Sequence, residues 1–257
     1  MKPWYEDSFG HEYLELYAHR DEREAHADIQ AIVDLISPPR DQPLLDLCCG
    51  AGRHLLSLRE LGFTNLTGLD LSQELLDVAE QSLANDGTPV ELVRADMRDI
   101  PFENRFRTIL SLFTSFGYFE EDAENQAVFA AVYRALRPAG VFLIDYLNSE
   151  YVTCNLVECD EKALPDRHIH NVRCLTDDCK RVEKTTTVTT KSGRQRVFHE
   201  SVRLYSEQDM LDMLQAEGFV HIRSCGSLGG QEFCCTDSER LILIAEKPSP
   251  VNGGERR

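Results

Sequence analysis

The segment LLDLCCGAGRH sets Gly50 and Gly52 where an apolar run gives way to a helix-forming one, and glycines at such a turn let backbone approach a ligand closely. A dinucleotide fingerprint would need a third glycine where Leu55 stands, which argues against close packing on a pyrophosphate. A P-loop is excluded, because no Gly-Lys-Ser/Thr follows. A ligand without a pyrophosphate fits better, because two carboxylates follow at telling positions. Asp70 ends the next apolar run about twenty residues past the turn, where an acid accepts from both hydroxyls of a ribose. Asp96, in RADM, ends the run after that, where its carboxylate can accept from an adenine amino group. The alternative is that both acids merely cap the turns that follow them.

These residues need a scaffold that brings strand ends to one edge. Leu44 to Cys48 reads as a strand, Arg53 to Leu61 as a helix, and Gly62 as its stop. The cycle repeats with strand Leu66 to Leu69, a helix from an N-cap at Ser72 to about Ala84, and strand Val90 to Arg94. Strand Thr108 to Phe113, helix Glu121 to Leu136, the turn Pro138-Ala139-Gly140 and strand Val141 to Tyr146 complete the series. Buried strands alternating with helices call for a parallel sheet covered on both faces. Its carboxyl edge is where open α/β folds bind ligands, and there both acids would meet.

Ahead of this domain, apolar residues at three- and four-residue steps from Glu12 to Ile36 predict one or two amphipathic helices that cannot pass Pro38-Pro39. After Asn148 the grammar changes. Strict alternation from about Arg167 to Tyr205 predicts three antiparallel strands, with Ser192-Gly193 as a hairpin turn. The α/β pattern resumes with a helix capped by Ser206 and strands Phe219 to Cys225 and Leu241 to Ala245.

With 257 residues, 42% hydrophobic and 28% charged, the chain can bury a real core and is not disordered or fibrous. A net charge of −17 repels phosphate backbones and anionic lipid, so nucleic acid is disfavoured as a partner. The charge is segregated, since Lys162 to Tyr205 carries ten Lys or Arg against five Asp or Glu. No apolar run approaches the roughly 20 residues of a membrane span, and the first residues are too acidic for a secretory signal. Nine cysteines, two pairs of them adjacent, suit reduced thiols, and the expected location is cytoplasmic.

Taken in order, LLDLCCGAGRH, GLDLS, RADMRDIPF, RFRTILSLFTSFGYF and LRPAGVFLIDYLN resemble the successive motifs of the class I S-adenosylmethionine-dependent methyltransferases, over about Asp41 to Asn148. Cys48 and Cys49 depart mildly from the usual turn residues and are given no catalytic role. The resemblance implies an α/β fold with a Rossmann-like seven-stranded sheet, helices on both faces, an N-terminal helical lid (1–40) and an inserted antiparallel β cap (151–205). The cofactor domain would then be 41–150 with 206–247. It implies S-adenosyl-L-methionine as cofactor, with Asp46, Gly50 and Gly52 on its methionine part, Asp70 at the ribose, Asp96 with Met97 at the adenine, and Leu71 also among the cofactor-binding residues. Leu112 and Phe113 would lie under the sulfonium, and Tyr17 and Arg20 in LYAHRD would close over the cofactor from the lid.

Methyl transfer from a sulfonium is an in-line displacement, so a protein has mainly to position the acceptor, exclude water and remove a proton. No metal is required. Thr114, Ser115, Tyr118 and Asn148 fall at the right edge, and Tyr118 and Asn148 are the expected catalytic residues; packing of Tyr118 against the next helix is the plain alternative. Cys154, Cys159, Cys174 and Cys179 form two CxxxxC pairs, a spacing that speaks weakly for zinc. The expected activity is methylation of a small-molecule N or O acceptor. A macromolecular methyltransferase, a non-catalytic cofactor-binding regulator and a nicotinamide enzyme are the rivals, and the acceptor and oligomeric state carry no motif.

Overall fold

Glycine and proline punctuate the chain, and the computed structural model, which describes residues 3–8, 10, 22–84 and 88–249, shows what they separate. The first half runs α1 (Trp4–Ser8), α2 (Glu22–Ile36), β1 (Leu44–Leu47), α3 (Arg53–Glu60), β2 (Leu66–Asp70), α4 (Gln73–Leu83), β3 (Val90–Arg94) and β4 (Phe106–Ser111). Then come α5 (Asp122–Ala135), β5 (Leu136–Leu147), α6 (Ser149–Asn155), β6 (Cys159–Ala163), β7 (Arg167–Leu175), β8 (Arg181–Thr190) and β9 (Gln195–Arg203). Helix α7 (Glu207–Ala216) and strands β10 (Val220–Cys225) and β11 (Arg240–Glu246) close the list.

Seven strands form one sheet in the order β10-β11-β5-β4-β1-β2-β3, with β11 antiparallel between β10 and β5 and the strands from β5 to β3 parallel. The order reverses between β1 and β4, which opens a crevice at their carboxyl ends. Side chains on a strand point alternately to its two faces, and here both faces are dry. Leu45 and Leu47 join one core with Phe106, Phe129 and Phe142, while Leu44 joins the other with Ile29, Ile32 and Leu55. That is why every residue of β1 and β2 is buried, with no polar alternation along either strand.

Several expectations are adjusted. Of the one or two helices predicted over 12–36, the described residues show α2, and Tyr17 and Arg20 lie outside them. Strand β5 starts at Leu136 and carries Pro138-Ala139-Gly140 as a bulge, because Ala139 N–H and Gly140 C=O bond Lys247 at the end of β11. The inserted sheet has four strands, β6-β7-β8-β9, rather than three. Strand β6 reads CDEKA and sits at the edge, where charged residues deter further pairing and leave no apolar alternation to detect. Gly193 takes φ +82° at the hairpin turn expected there.

Candidate functional site

The turn after β1 is built from left-handed residues, with Cys48 at φ 61°, Gly50 at 54° and Gly52 at 80°. Gly52 must be glycine twice over, since a Cβ there would also lie 3.1 Å from Ala79 Cβ. Asp70, buried at the end of β2, holds this turn: its carboxylate accepts from Gly50 N–H at 2.8 Å and from Ser72 N–H at 2.9 Å. Burial pushes its pKa up against these backbone donors. The acid therefore does cap its neighbours, yet each oxygen keeps a lone pair for a further donor. Leu71 follows it at the same edge.

Asp46 stands inside β1, 1% exposed, and burial raises its pKa to about 6, with His54 and Arg53 pulling the other way. Its Oδ2, Arg53 Nη1 and His54 Nε2 are buried without a hydrogen-bond partner among the described residues. The nearest opposite charges stand off, with Glu24 Oε2 3.7 Å from Arg53 Nη1 and Asp28 Oδ2 3.9 Å from His54 Nε2. Unsatisfied polar atoms are costly, and groups of both signs beside a glycine turn have the chemistry to hold the two ends of a zwitterion. Cys48 and Cys49 are held as neutral thiols by burial, as suits packing residues.

Asp96 behaves differently from the expectation. Its Oδ1 accepts from Arg98 N–H at 2.8 Å and Arg98 Nε at 3.0 Å, and its Oδ2 from Arg98 Nη2 at 2.6 Å. Despite opposing desolvation, Arg98 holds its carboxyl below the usual range. Met97 beside it is buried against Cys48, Sδ to Sγ 3.7 Å.

Beyond β4, Leu112 is buried but Phe113 is 37% exposed, and both Phe113 (φ 64°) and Thr114 (φ 60°) are left-handed. Such backbone persists only when surroundings impose it. Asp145, on β5, accepts from Phe113 N–H at 2.9 Å, and its backbone oxygen takes Thr114 N–H at 2.9 Å. Arg240, on β11, donates to Asp145 Oδ1 at 2.7 Å and to Thr114 Oγ1 at 2.9 Å. The guanidinium carbons of Arg53 and Arg240 lie 5.3 and 5.9 Å from the Phe113 ring centroid. Phe113 is thus a ring on a rigid shelf, flanked by cations.

Tyr118 is half-buried, with its ring edge-on to the Trp4 indole at 5.1 Å, and Tyr5 meets Phe119 the same way at 5.4 Å. Asn148 does not face the crevice chemistry. Its Nδ2 donates to Cys235 C=O and Ser238 C=O, both at 2.7 Å, and its Oδ1 accepts from Glu150 N–H as the N-cap of α6. Both amide protons are spent on backbone. Trp4, Tyr5, Arg53, His54, Asp145 and Arg240 were missed by sequence reasoning; only Arg53 and His54, inside GAGRH, carried a local signal. All nine cysteines are free, and among the described residues no three His, Cys, Asp or Glu side chains are grouped to hold a metal.

Residues 44–140 match a family model described as a methyltransferase domain. Over 122 residues the chain is 35% identical to the dTDP-3-amino-3,4,6-trideoxy-alpha-D-glucopyranose N,N-dimethyltransferase of Streptomyces venezuelae, covering 46% of this chain and 49% of that protein. It is 24% identical over 233 residues to the cypemycin N-terminal methyltransferase of a Streptomyces species, covering 85% and 89%. A solved S-adenosylmethionine-dependent methyltransferase from Clostridium acetobutylicum ATCC 824 superposes with TM-score 0.76 at 21% identity, covering 95% of this chain and 99% of that one. The chain spans about half the length of the curated relatives it first matches.

Proposed function

We propose that this chain is a class I S-adenosylmethionine-dependent methyltransferase and that it methylates an amine nitrogen of a small molecule. The observation that carries the reading is the unsatisfied pair of Asp46 Oδ2 and Arg53 Nη1 beside the glycine turn, with Asp70 one strand over. These residues fit an amino acid joined to a nucleoside. Asp46 would take the ammonium, Arg53 the carboxylate and Asp70 the ribose hydroxyls, with Leu71 alongside. Met97 offers an apolar surface to the adenine, and Asp96, largely spent on Arg98, adds at most a lone pair.

Bound S-adenosylmethionine supplies a methyl group already activated on a sulfonium. The chain's own task is then to hold an acceptor in line over Phe113, keep water out and accept a proton. Phe113 and Leu112 form the floor, and Tyr118 presents a hydroxyl at the acceptor, as orienter or proton acceptor. Asn148 drops out of this reading because its amide is committed to α6 and the 235–238 segment. An amine is preferred over a hydroxyl because one sequence relative is named an N,N-dimethyltransferase of an amino sugar and another an N-terminal methyltransferase. Free thiols throughout support a reducing, cytoplasmic setting, and among the described residues no helix is long and apolar enough to cross a membrane.

The test is a donor-consumption assay with S-adenosylmethionine over a panel of amino sugars, free amines, peptide N-termini and matched hydroxyl compounds. Acceptor-dependent S-adenosylhomocysteine from amines is the expected result. Binding of S-adenosylhomocysteine without turnover on any acceptor would favour a regulator, and no binding would remove the whole reading.

A further inference from the structure

The 113–119 segment is gripped at its start by Asp145 and Arg240, and at its end by a cation from the inserted sheet. Arg181, the first residue of β8, points its guanidinium under this segment: Nη1 donates to Phe119 C=O at 3.0 Å, and Nη2 lies 3.3 Å from both Gly117 C=O and Tyr118 C=O. The rest of the fork is held by Ser201, with Nε to its Oγ at 2.8 Å and Nη2 to its C=O at 2.9 Å. All these acceptors are neutral oxygens, so no carboxylate hydrogen-bonds this half-buried cation, and the attraction of Glu120 does not offset its desolvation and the repulsion of Arg203. Stability alone gives poor reason for such a residue. Three successive carbonyls held by one planar fork give a geometric reason, since a rigid fork fixes direction as well as distance.

The backbone it holds has no slack. Gly117 has φ +82°, its C=O also accepts from Arg203 N–H at 2.8 Å, and a Cβ there would meet Tyr146 Oη at 3.0 Å. Tyr118 lies between these anchors. We propose that Arg181 is the positioning residue of the acceptor loop, through which the inserted sheet sets the direction of the Tyr118 side chain. This rests on the reading of Tyr118 as an acceptor-side residue, and its readout is independent of that reading. The inserted sheet would thus build the acceptor site from beneath as well as bound it.

The chain contains a single tryptophan, Trp4, and its indole faces the Tyr118 ring. Its emission therefore responds to where Tyr118 points, with the Tyr5 ring at 5.9 Å as a second neighbour on its own helix. Arg181→Met should shift Trp4 emission and raise its quenching by acrylamide toward the values of Tyr118→Leu, which calibrates a lost ring. Arg181→Lys should fall between, and millimolar guanidinium ion, but not methylammonium, should return Arg181→Met toward the parent spectrum. S-adenosylhomocysteine affinity by calorimetry should stay within about threefold, far less than the tenfold that 1.4 kcal/mol would give. A folded Arg181→Met with parent emission, or one that guanidinium leaves unchanged, overturns the proposal. If Arg181→Met does not fold, Ser201→Ala decides: removing the Nε partner should produce a smaller shift of the same sign, and no shift overturns it. If the parent fails to bind S-adenosylhomocysteine, the methyltransferase reading fails while the emission result still judges Arg181.

Discussion

In the role proposed for it, Asp46 would trade stability for binding. An acid whose pKa rises from 3.8 to about 6 on folding is destabilising when ionised, and the sign follows from linkage. Below pH 3.8 the effect is absent, it grows as pH rises through 6, and above that it is constant at about 2–3 kcal/mol. Asn mimics the protonated carboxyl. Asp46→Asn is therefore expected to raise the stability of the ligand-free protein at pH 7, with the gain gone at pH 3.5; denaturant melts at both pH values measure this. The same change should weaken S-adenosylhomocysteine binding by about 1.5–3 kcal/mol, as expected when a charged acceptor is lost. Tighter binding in the variant would contradict the ammonium role. Tyr118 gives the complementary case, because Tyr118→Phe keeps the ring that meets Trp4 and removes only the hydroxyl. A proton-acceptor role predicts a loss of about 10²- to 10⁴-fold in kcat, an orienting role a smaller loss seen mainly in the acceptor's KM, both with cofactor affinity intact. Parent kinetics would leave the residue as packing only.

At the scale of elements, the left-handed pair Phe113–Thr114 depends on a lock spanning β4, β5 and β11. Asp145 is 6% exposed, so removing Arg240 strands a buried carboxylate that still faces Phe113 N–H. Arg240→Met is expected to cost about 2–3 kcal/mol, less than the 3–5 of a fully buried pair because Arg240 is partly exposed. Asp145→Asn with Arg240→Met should recover part of it, which a double-mutant cycle would measure; full additivity would deny the lock. The sequence announces the strands that this lock joins but not the lock itself. Runs such as LILIA are apolar because both sheet faces are covered, and Gly50 and Gly52 mark a backbone only glycine adopts easily. Asp145 and Arg240, 95 residues apart, meet only because β11 pairs with β5, and no local pattern encodes that. Strand β6 has no alternation to read, and α1 is too short to show a helical period. Asn148 misled in another way, since its place after a strand suits a ligand contact as well as a helix cap, and the cap won.

For the whole molecule, the question is how an inserted sheet carrying positive charge joins a body that carries the negative charge. The contacts at its root are specific. Tyr146, buried in the body, donates its hydroxyl to Arg203 C=O, while Asp122 at the start of α5 accepts from Arg203 Nε at 2.9 Å and Tyr205 Oη at 2.7 Å. Ser8 Oγ ties α1 to His199 C=O at 2.8 Å. A polar cleft of about 490 Å³, lined in part by Asp178, Lys180 and Arg203, admits water to this junction. The charged groups facing Asp122 are Arg203 and Lys180, and with the Tyr205 hydroxyl they hold its pKa down to about 2. A depressed carboxyl contributes stability that is complete above its unfolded pKa near 3.8 and is lost as pH falls through about 2. Because Asp122 is well exposed, solvent screening limits the contribution to about 0.2–1 kcal/mol. Asp122→Asn should therefore be less stable than the parent by that amount at pH 7, and the difference should close between pH 4 and pH 2. Trp4, on the helix tied to β9, should report the same window as a change in emission before global unfolding, since only the root of the inserted sheet is loosened. Equal stability of parent and variant at pH 7, or a gap that persists at pH 2, would show that Asp122 does not fasten the two sheets.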